Sequence, residues 1–234
     1  MNERLEILAT GTDRTITRDN VRALDEDAVE EYGIPGIVLM ENAASALMEA
    51  STRMLAGCED PSVLIYCGTG NNGGDGFALA RKLDNAGIDC SCALVGDVSQ
   101  VRNDALTNYR IVEMMGLPII DAYTGSPATK PSLVIDAIIG TGLSRAIEGR
   151  PGLAVGMINA HRAAGAKVIS VDVPSGINCD TGEPMGEHIV SADETVTFVL
   201  PKRGFSNAAS HAYTGEISVA DLGVPRALVI RYAD

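Results

Sequence analysis

Short apolar runs at 63–67, 91–95, 132–139, 167–173 and 194–200 recur along this chain, most of them separated by stretches of helical periodicity at 77–86, 103–115 and 152–164. Strands that are apolar along their whole length belong in a parallel sheet covered on both faces. Parallel neighbours need crossover connections, which the intervening helices supply. The pattern predicts an α/β fold: a three-layer αβα, Rossmann-like domain with a mostly parallel sheet. Two helices are expected upstream of it. The first starts at Thr17 or Asp19, carries Val21, Leu24, Ala28 and Val29 on one face, and stops at Gly33 and Pro35. The second runs over 39–55, and both are expected to pack on the sheet. From Thr195 to Val219 the chain reads as strands joined by loops at a sheet edge. No internal repeat or low-complexity linker appears, so 1–234 reads as a single domain, with residues 1–15 as a flexible arm.

Composition narrows the partners. A formal net charge of -13 and the absence of Trp argue against nucleic acid and against anionic membrane surfaces. No apolar run approaches the roughly 20 residues that span a bilayer, and the charged start Met1-Asn2-Glu3-Arg4 is followed by no signal-type apolar core. A cytoplasmic protein is expected. The five cysteines lack a C-x-x-C pair and fall mostly in strand-like runs, as buried reduced thiols do.

Ligands of such sheets bind outside the carboxyl ends of the strands, and three strand ends here carry polar residues. After the first comes Gly68-Thr69-Gly70-Asn71-Asn72-Gly73-Gly74-Asp75-Gly76, read as a glycine-rich turn into a helix N-terminus, a site for phosphate. It lacks the Lys-Ser/Thr of a P-loop. It satisfies G-x-G-x-x-G, but Asp89, the acidic residue about 20 positions on, lies before the second strand and not at its far end.

Asp136 interrupts an apolar strand that leads into Gly140-Thr141-Gly142-Leu143-Ser144-Arg145-Ala146, and Asp172 ends another before Pro174-Ser175-Gly176. A buried carboxylate demands a cation, a helix terminus or a hydrogen-bond network. Asn72, Asp136 and Ser175 offer only hard oxygen donors, which suit an alkali or alkaline-earth ion better than zinc or copper.

Taken together, Arg22-x-Leu24-Asp25, Gly33-Ile34-Pro35, Leu39-Met40-Glu41-Asn42-Ala43, the 68–76 segment, Asp136 to Leu143, Asp172 to Gly176 and Thr197-Phe198-x-Leu200-Pro201-Lys202 resemble the YjeF N-terminal domain family, the NAD(P)H-hydrate epimerases. The resemblance runs from about Thr17 to Pro225. It implies an isomerase of nicotinamide cofactor repair that interconverts the R and S forms of NADHX and NADPHX, commonly as a homodimer. By matching positions it implies substrate contacts from Asn71, Asn72, Gly73, Gly74 and Asp75, from Gly140, Thr141, Gly142, Leu143, Ser144, Arg145 and Ala146, and from Asp172. It implies one potassium ion per subunit on Asn72, Asp136 and Ser175. Asp172 is the expected catalytic acid or base, with Lys202 as a second candidate. No fused dehydratase domain is expected, and a separate NAD(P)H-hydrate dehydratase is expected to act downstream. The other readings are a non-catalytic binding or scaffold module of the same fold and an NAD-dependent dehydrogenase.

Overall fold

The computed structural model describes residues 14–125, 127 and 130–234. Most of the expected N-terminal arm therefore lies outside the described residues. Helix α1 (Arg18–Glu30) starts at Thr17, whose side chain caps Asn20 N–H, and α2 (Gly36–Met54) follows Pro35. Among the described residues seven strands then form one parallel sheet: β1 (Ser62–Cys67), β2 (Asp89–Leu94), β3 (Ile119–Asp121), β4 (Leu133–Ala137), β5 (Lys167–Val171), β6 (Glu194–Phe198) and β7 (Glu216–Ala220), in the order β3-β2-β1-β4-β5-β6-β7. The crossovers carry α3 (Asn71–Asn85), α4 (Asn103–Met114) and α5 (Gly149–Ala163). A short α6 (His211–Thr214) precedes β7, and α7 (Arg226–Tyr232) closes the chain.

Alternate strand residues feed two cores. Val63, Ile65, Cys67, Leu133, Ile135 and Ala137 pack against α2, α3 and α4 on one face. Leu64, Tyr66, Val134 and Val168 pack against Ala154, Val155 and Ile158 of α5 on the other. Leu64 and Ile65 are both fully covered, which is why β1 shows no alternation in the sequence.

Only one of the two N-terminal helices packs as expected. α2 lies on the sheet, but Leu24 and Ala28 of α1 join a separate cluster with Leu39 and Ala43 of α2, Leu200, Leu222 and Leu228. With the sheet face already filled by α2 and its neighbours, α1 stands at the carboxyl edge, where it walls a cavity. Cys67, Cys90, Cys92 and Cys179 are buried free thiols, while Cys58 is exposed. Among the described residues no helix is long and apolar enough to cross a membrane.

Candidate functional site

The crossover after β1 and that after β4 leave for opposite faces of the sheet, so the adjacent ends of these strands part into a crevice. Into it opens a cavity of about 730 Å³, whose lining includes Asn72, Asp75, Gly140, Asp172, Lys202 and Asp25.

The glycine segment builds one wall differently from expectation. Helix α3 begins at Asn71, not at 77, so Gly73, Gly74 and Gly76 are helical residues. Their role is close approach. A Cβ on Gly73 would stand 1.9 Å from Gly68 O, and one on Gly76 would stand 2.9 Å from Cys67 Sγ and Ala137 Cβ. The helix is thus pressed onto its strands with its N-terminal amides and positive dipole end at the crevice.

Asp136 is fully buried at the end of β4. Its Oδ1 accepts from Ser175 Oγ at 2.6 Å and from Ile138 N–H at 3.3 Å. Its Oδ2 accepts from Ser175 N–H at 2.8 Å and Ser170 Oγ at 2.9 Å. Burial raises its pKa while these donors oppose the rise. No ion pair reaches it among the described residues. Ser175 Oγ also lies 3.2 Å from the Ile139 carbonyl. Asn72 enters from α3, with its Oδ1 only 2.8 Å from where a Gly140 Cβ would lie, and its Nδ2 is buried without a partner among the described residues. The Asp136 carboxylate, which lacks a countercharge, the Ser175 hydroxyl and the Asn72 amide oxygen are hard donors of the kind that could hold a monovalent cation. No cluster of His, Cys, Asp and Glu suited to a transition metal occurs among the described residues.

Asp172 and Lys202 meet as a pair. Lys202 Nζ lies 2.7 Å from Asp172 Oδ1, with the lysine side chain 1% exposed. Thr197 Oγ1 bridges them, accepting from Lys202 Nζ at 2.9 Å and donating to Asp172 Oδ1 at 3.2 Å. Phe198 O accepts from the ammonium at 3.1 Å. Both strand ends that supply this pair turn sharply. Asp172 and Val199 each have φ of +66°, and each is spanned by an i to i+2 hydrogen bond, Val173 N–H to Val171 O and Leu200 N–H to Phe198 O, both 2.8 Å. These are γ-turns of the strained, positive-φ kind. Strain of this sort persists where surrounding structure enforces it, commonly at functional sites.

Of the carboxyl groups that line the cavity, Asp25, Asp75 and Asp172 feel one another's charge. Burial, then the charges of Asp172 and Asp25, push Asp75 well above the ordinary carboxylate range. Burial and Asp172 push Asp25 to about 6, with Lys202 opposing. Of the expected substrate residues, Asn71, Asn72, Asp75, Gly140, Thr141, Gly142 and Asp172 line this cavity. Gly73 and Gly74 are buried against neighbouring backbone and Met40. Leu143, Ser144, Arg145 and Ala146 line an adjoining hollow that shares Ile139, Gly142 and Pro151. Asp25, of the Arg22-x-Leu24-Asp25 motif, lines the cavity as well. The usable signal was the 22, 25, 26, 29 spacing, which puts those residues on one helix face. Glu41 and Asn42 of the neighbouring motif serve the fold: Glu41 pairs with Arg81 and Lys82, and Asn42 donates to Leu222 O. Asp89 opens β2, at the sheet edge away from the crevice, so it is misplaced for a dinucleotide ribose.

Residues 36–204 match the family model described as YjeF-related protein N-terminus. A Rhodopirellula baltica protein named NAD(P)H-hydrate epimerase is 35% identical, over 93% of this chain and 88% of its own length. A Pirellula staleyi protein of the same name is 37% identical, over 92% and 95%. A Moorella thermoacetica protein named bifunctional NAD(P)H-hydrate repair enzyme Nnr is 40% identical over 92% of this chain, which spans only 41% of that relative. The crystal structure of yeast ynu0 superposes with a TM-score of 0.79 over 93% of each chain at 20% identity, a likeness of fold. By its sequence over most of its length, this chain belongs to the YjeF-related protein N-terminus family.

Proposed function

We propose that the protein is an NAD(P)H-hydrate epimerase, an isomerase that interconverts the R and S forms of NADHX and NADPHX. Relatives matched along nearly their whole length bear that name. The observation that carries the chemistry is the buried Asp172–Lys202 pair on the floor of the cavity at the sheet's switch point.

The substrate carries a hydroxyl at C6 of the reduced nicotinamide ring. Inverting that centre requires one bond at C6 to break and reform. The ring-nitrogen lone pair expels the oxygen, and Asp172 exchanges the proton on it. Lys202 holds the Asp172 carboxylate in place and balances its charge. The first-turn amides of α3, from Asn71 to Gly73, receive a diphosphate oxygen, and the Gly140–Ala146 segment closes over the same group. Asp75, with its carboxyl favoured in the protonated form, donates to the ligand. Asn72, Asp136 and Ser175 would hold a potassium ion, which supplies positive charge near the bound phosphates. We further infer a homodimer through the exposed sides of α1 and α2, a cytoplasmic location, and a dehydratase activity that consumes the S form.

The test supplies R-NADHX with an excess of an S-specific dehydratase. Adding the protein should accelerate recovery of NADH. Asp172→Asn should bind ligand with little change yet lose about 100-fold or more in rate. No acceleration by the wild type, with or without potassium, sinks the epimerase; full activity of Asp172→Asn sinks the role of that residue.

A further inference from the structure

Helix α1 gives the cavity one stripe, with Arg22, Asp25, Glu26 and Val29 all lining it. Asp25 is the partly buried carboxylate of that stripe, whereas Arg22 and Glu26 are exposed. The helix is fixed relative to the floor. Ile16, just before it, forms a parallel bridge with Lys202. Ile16 N–H donates to Pro201 O and Arg203 N–H to Ile16 O, both at 3.0 Å, and Arg18 N–H donates to Asp180 Oδ1 at 2.8 Å. The turn that presents Lys202 to Asp172 therefore also sets the start of α1. Asp25 consequently shares one cavity with the ion pair, close enough for their charges to be felt.

We propose that Asp25 is a second proton-carrying group of the reaction site, acting as the partner of Asp172 on the other side of the proton transfer. The proposal rests on the epimerase reading and deepens it. In one direction the Asp25 carboxyl gives its proton to the C6 hydroxyl oxygen. The C6–O bond breaks, water leaves, and the nitrogen lone pair becomes the second N1–C6 bond. Water then adds to the other face: a C6–O bond forms, the electron pair returns to nitrogen, and the water's proton passes to the Asp172 carboxylate. Proton exchange between the two carboxyl groups restores the starting state, and the opposite conversion runs these steps backwards.

The charged groups that line the cavity with Asp25 are Asp172 after β5, Lys202 after β6, Asp75 in α3, Asp104 in α4, and Arg22 and Glu26 on its own helix. Burial and Asp172 outweigh Lys202 and bring the carboxyl to about 6. A group that titrates near the working pH serves best as both donor and acceptor.

The test compares pH profiles of kcat/KM for wild type, Asp25→Asn and Asp25→Glu in the coupled assay. The wild type should show an ionisation near pH 6. Asp25→Asn should lose about 100-fold in kcat with KM little changed, and should lack that ionisation; Asp25→Glu should recover part of the rate. Carbon-13 NMR of the aspartate carboxyls gives a readout independent of turnover. The resonance missing from Asp25→Asn should titrate near 6 in the wild type and lower in Asp172→Asn. Unchanged kcat in Asp25→Asn, a retained pH 6 limb, or a wild-type resonance titrating at the ordinary carboxylate value would each overturn the proposal. An inactive wild type instead removes the parent reading, and the NMR titration still decides whether Asp25 carries a proton in the neutral range.

Discussion

Asp25 illustrates what a site residue costs its own fold. Its folded pKa of about 6 stands above the ordinary 3.8, so folding favours the protonated carboxyl. That contribution is complete below about pH 4 and is lost as pH rises through about 6, leaving the ionised group as a burden at neutral pH. Asp25→Asn keeps the neutral form at every pH. Urea unfolding should find the variant about 1–2 kcal/mol more stable than wild type at pH 8, the full shift being discounted for partial exposure. The two should agree at pH 4. Equal stability at both values would mean that Asp25 is not held near 6. The same residue explains part of what the sequence leaves hidden. Asp136 and Asp172 announce themselves as charges ending apolar runs. Asp25 sits among Asp19, Glu26, Asp27 and Glu30 on an acidic helix, where only the 22, 25, 26, 29 spacing hints at a shared face. Its significance comes from the distant Ile16–Lys202 bridge. Lys202 was legible as a candidate, but its burial rests on Asp172, which lies in another segment, as well as on Thr197 of its own motif.

At the scale of elements, the long apolar strands and their helices were legible because pattern and burial coincide, as in β1. The short edge strand β3 and the terminal α7 were not, since each buries too little to leave a period. The N-terminus of α3 was misplaced for another reason: glycine disfavours helices intrinsically, and here packing overrides that tendency. Two neighbouring glycines separate the causes. Gly73 is helical, and an added Cβ would strike Gly68 O at 1.9 Å, whereas Gly70 has nothing within 4 Å. Gly73→Ala should cost about 3 kcal/mol or more, because backbone must move to relieve the clash. Gly70→Ala should cost under about 1 kcal/mol, the difference between glycine and alanine at an N-cap. Chemical denaturation of both variants checks this, and similar costs would mean that the segment needs glycine for conformational freedom and not for close approach. The γ-turns at Asp172 and Val199 were invisible in the sequence. A β-branched residue at positive φ contradicts local preference, and it is held by tertiary hydrogen bonds such as Val199 N–H to Ala220 O at 2.9 Å.

For the molecule as a whole, strand order decides what the proposed cation site can do. Asn72 belongs to the helix after β1, Asp136 to the end of β4, and Ser175 to the segment after β5, so the three can share a ligand only once the strands β1, β4 and β5 are side by side. An ion bound there binds the folded state and not the unfolded chain. It therefore stabilises by an amount that grows with the logarithm of its concentration above Kd, reaching about 1.4 kcal/mol near ten times Kd. For a chain of this size that corresponds to roughly 3–6 °C in Tm. Replacing choline chloride by potassium chloride at constant ionic strength should raise Tm by about that much in the wild type. Asp136→Asn removes the charge that holds the ion while an amide still fills the space, so its Tm should be the same in both salts. Sodium, which is smaller and more tightly hydrated, should give a smaller rise in the wild type. A wild-type Tm indifferent to potassium, or a rise that persists in Asp136→Asn, would mean that Asp136 is satisfied by Ser170, Ser175 and Ile138 alone, leaving the switch-point crevice to bind its ligand without a fixed cation.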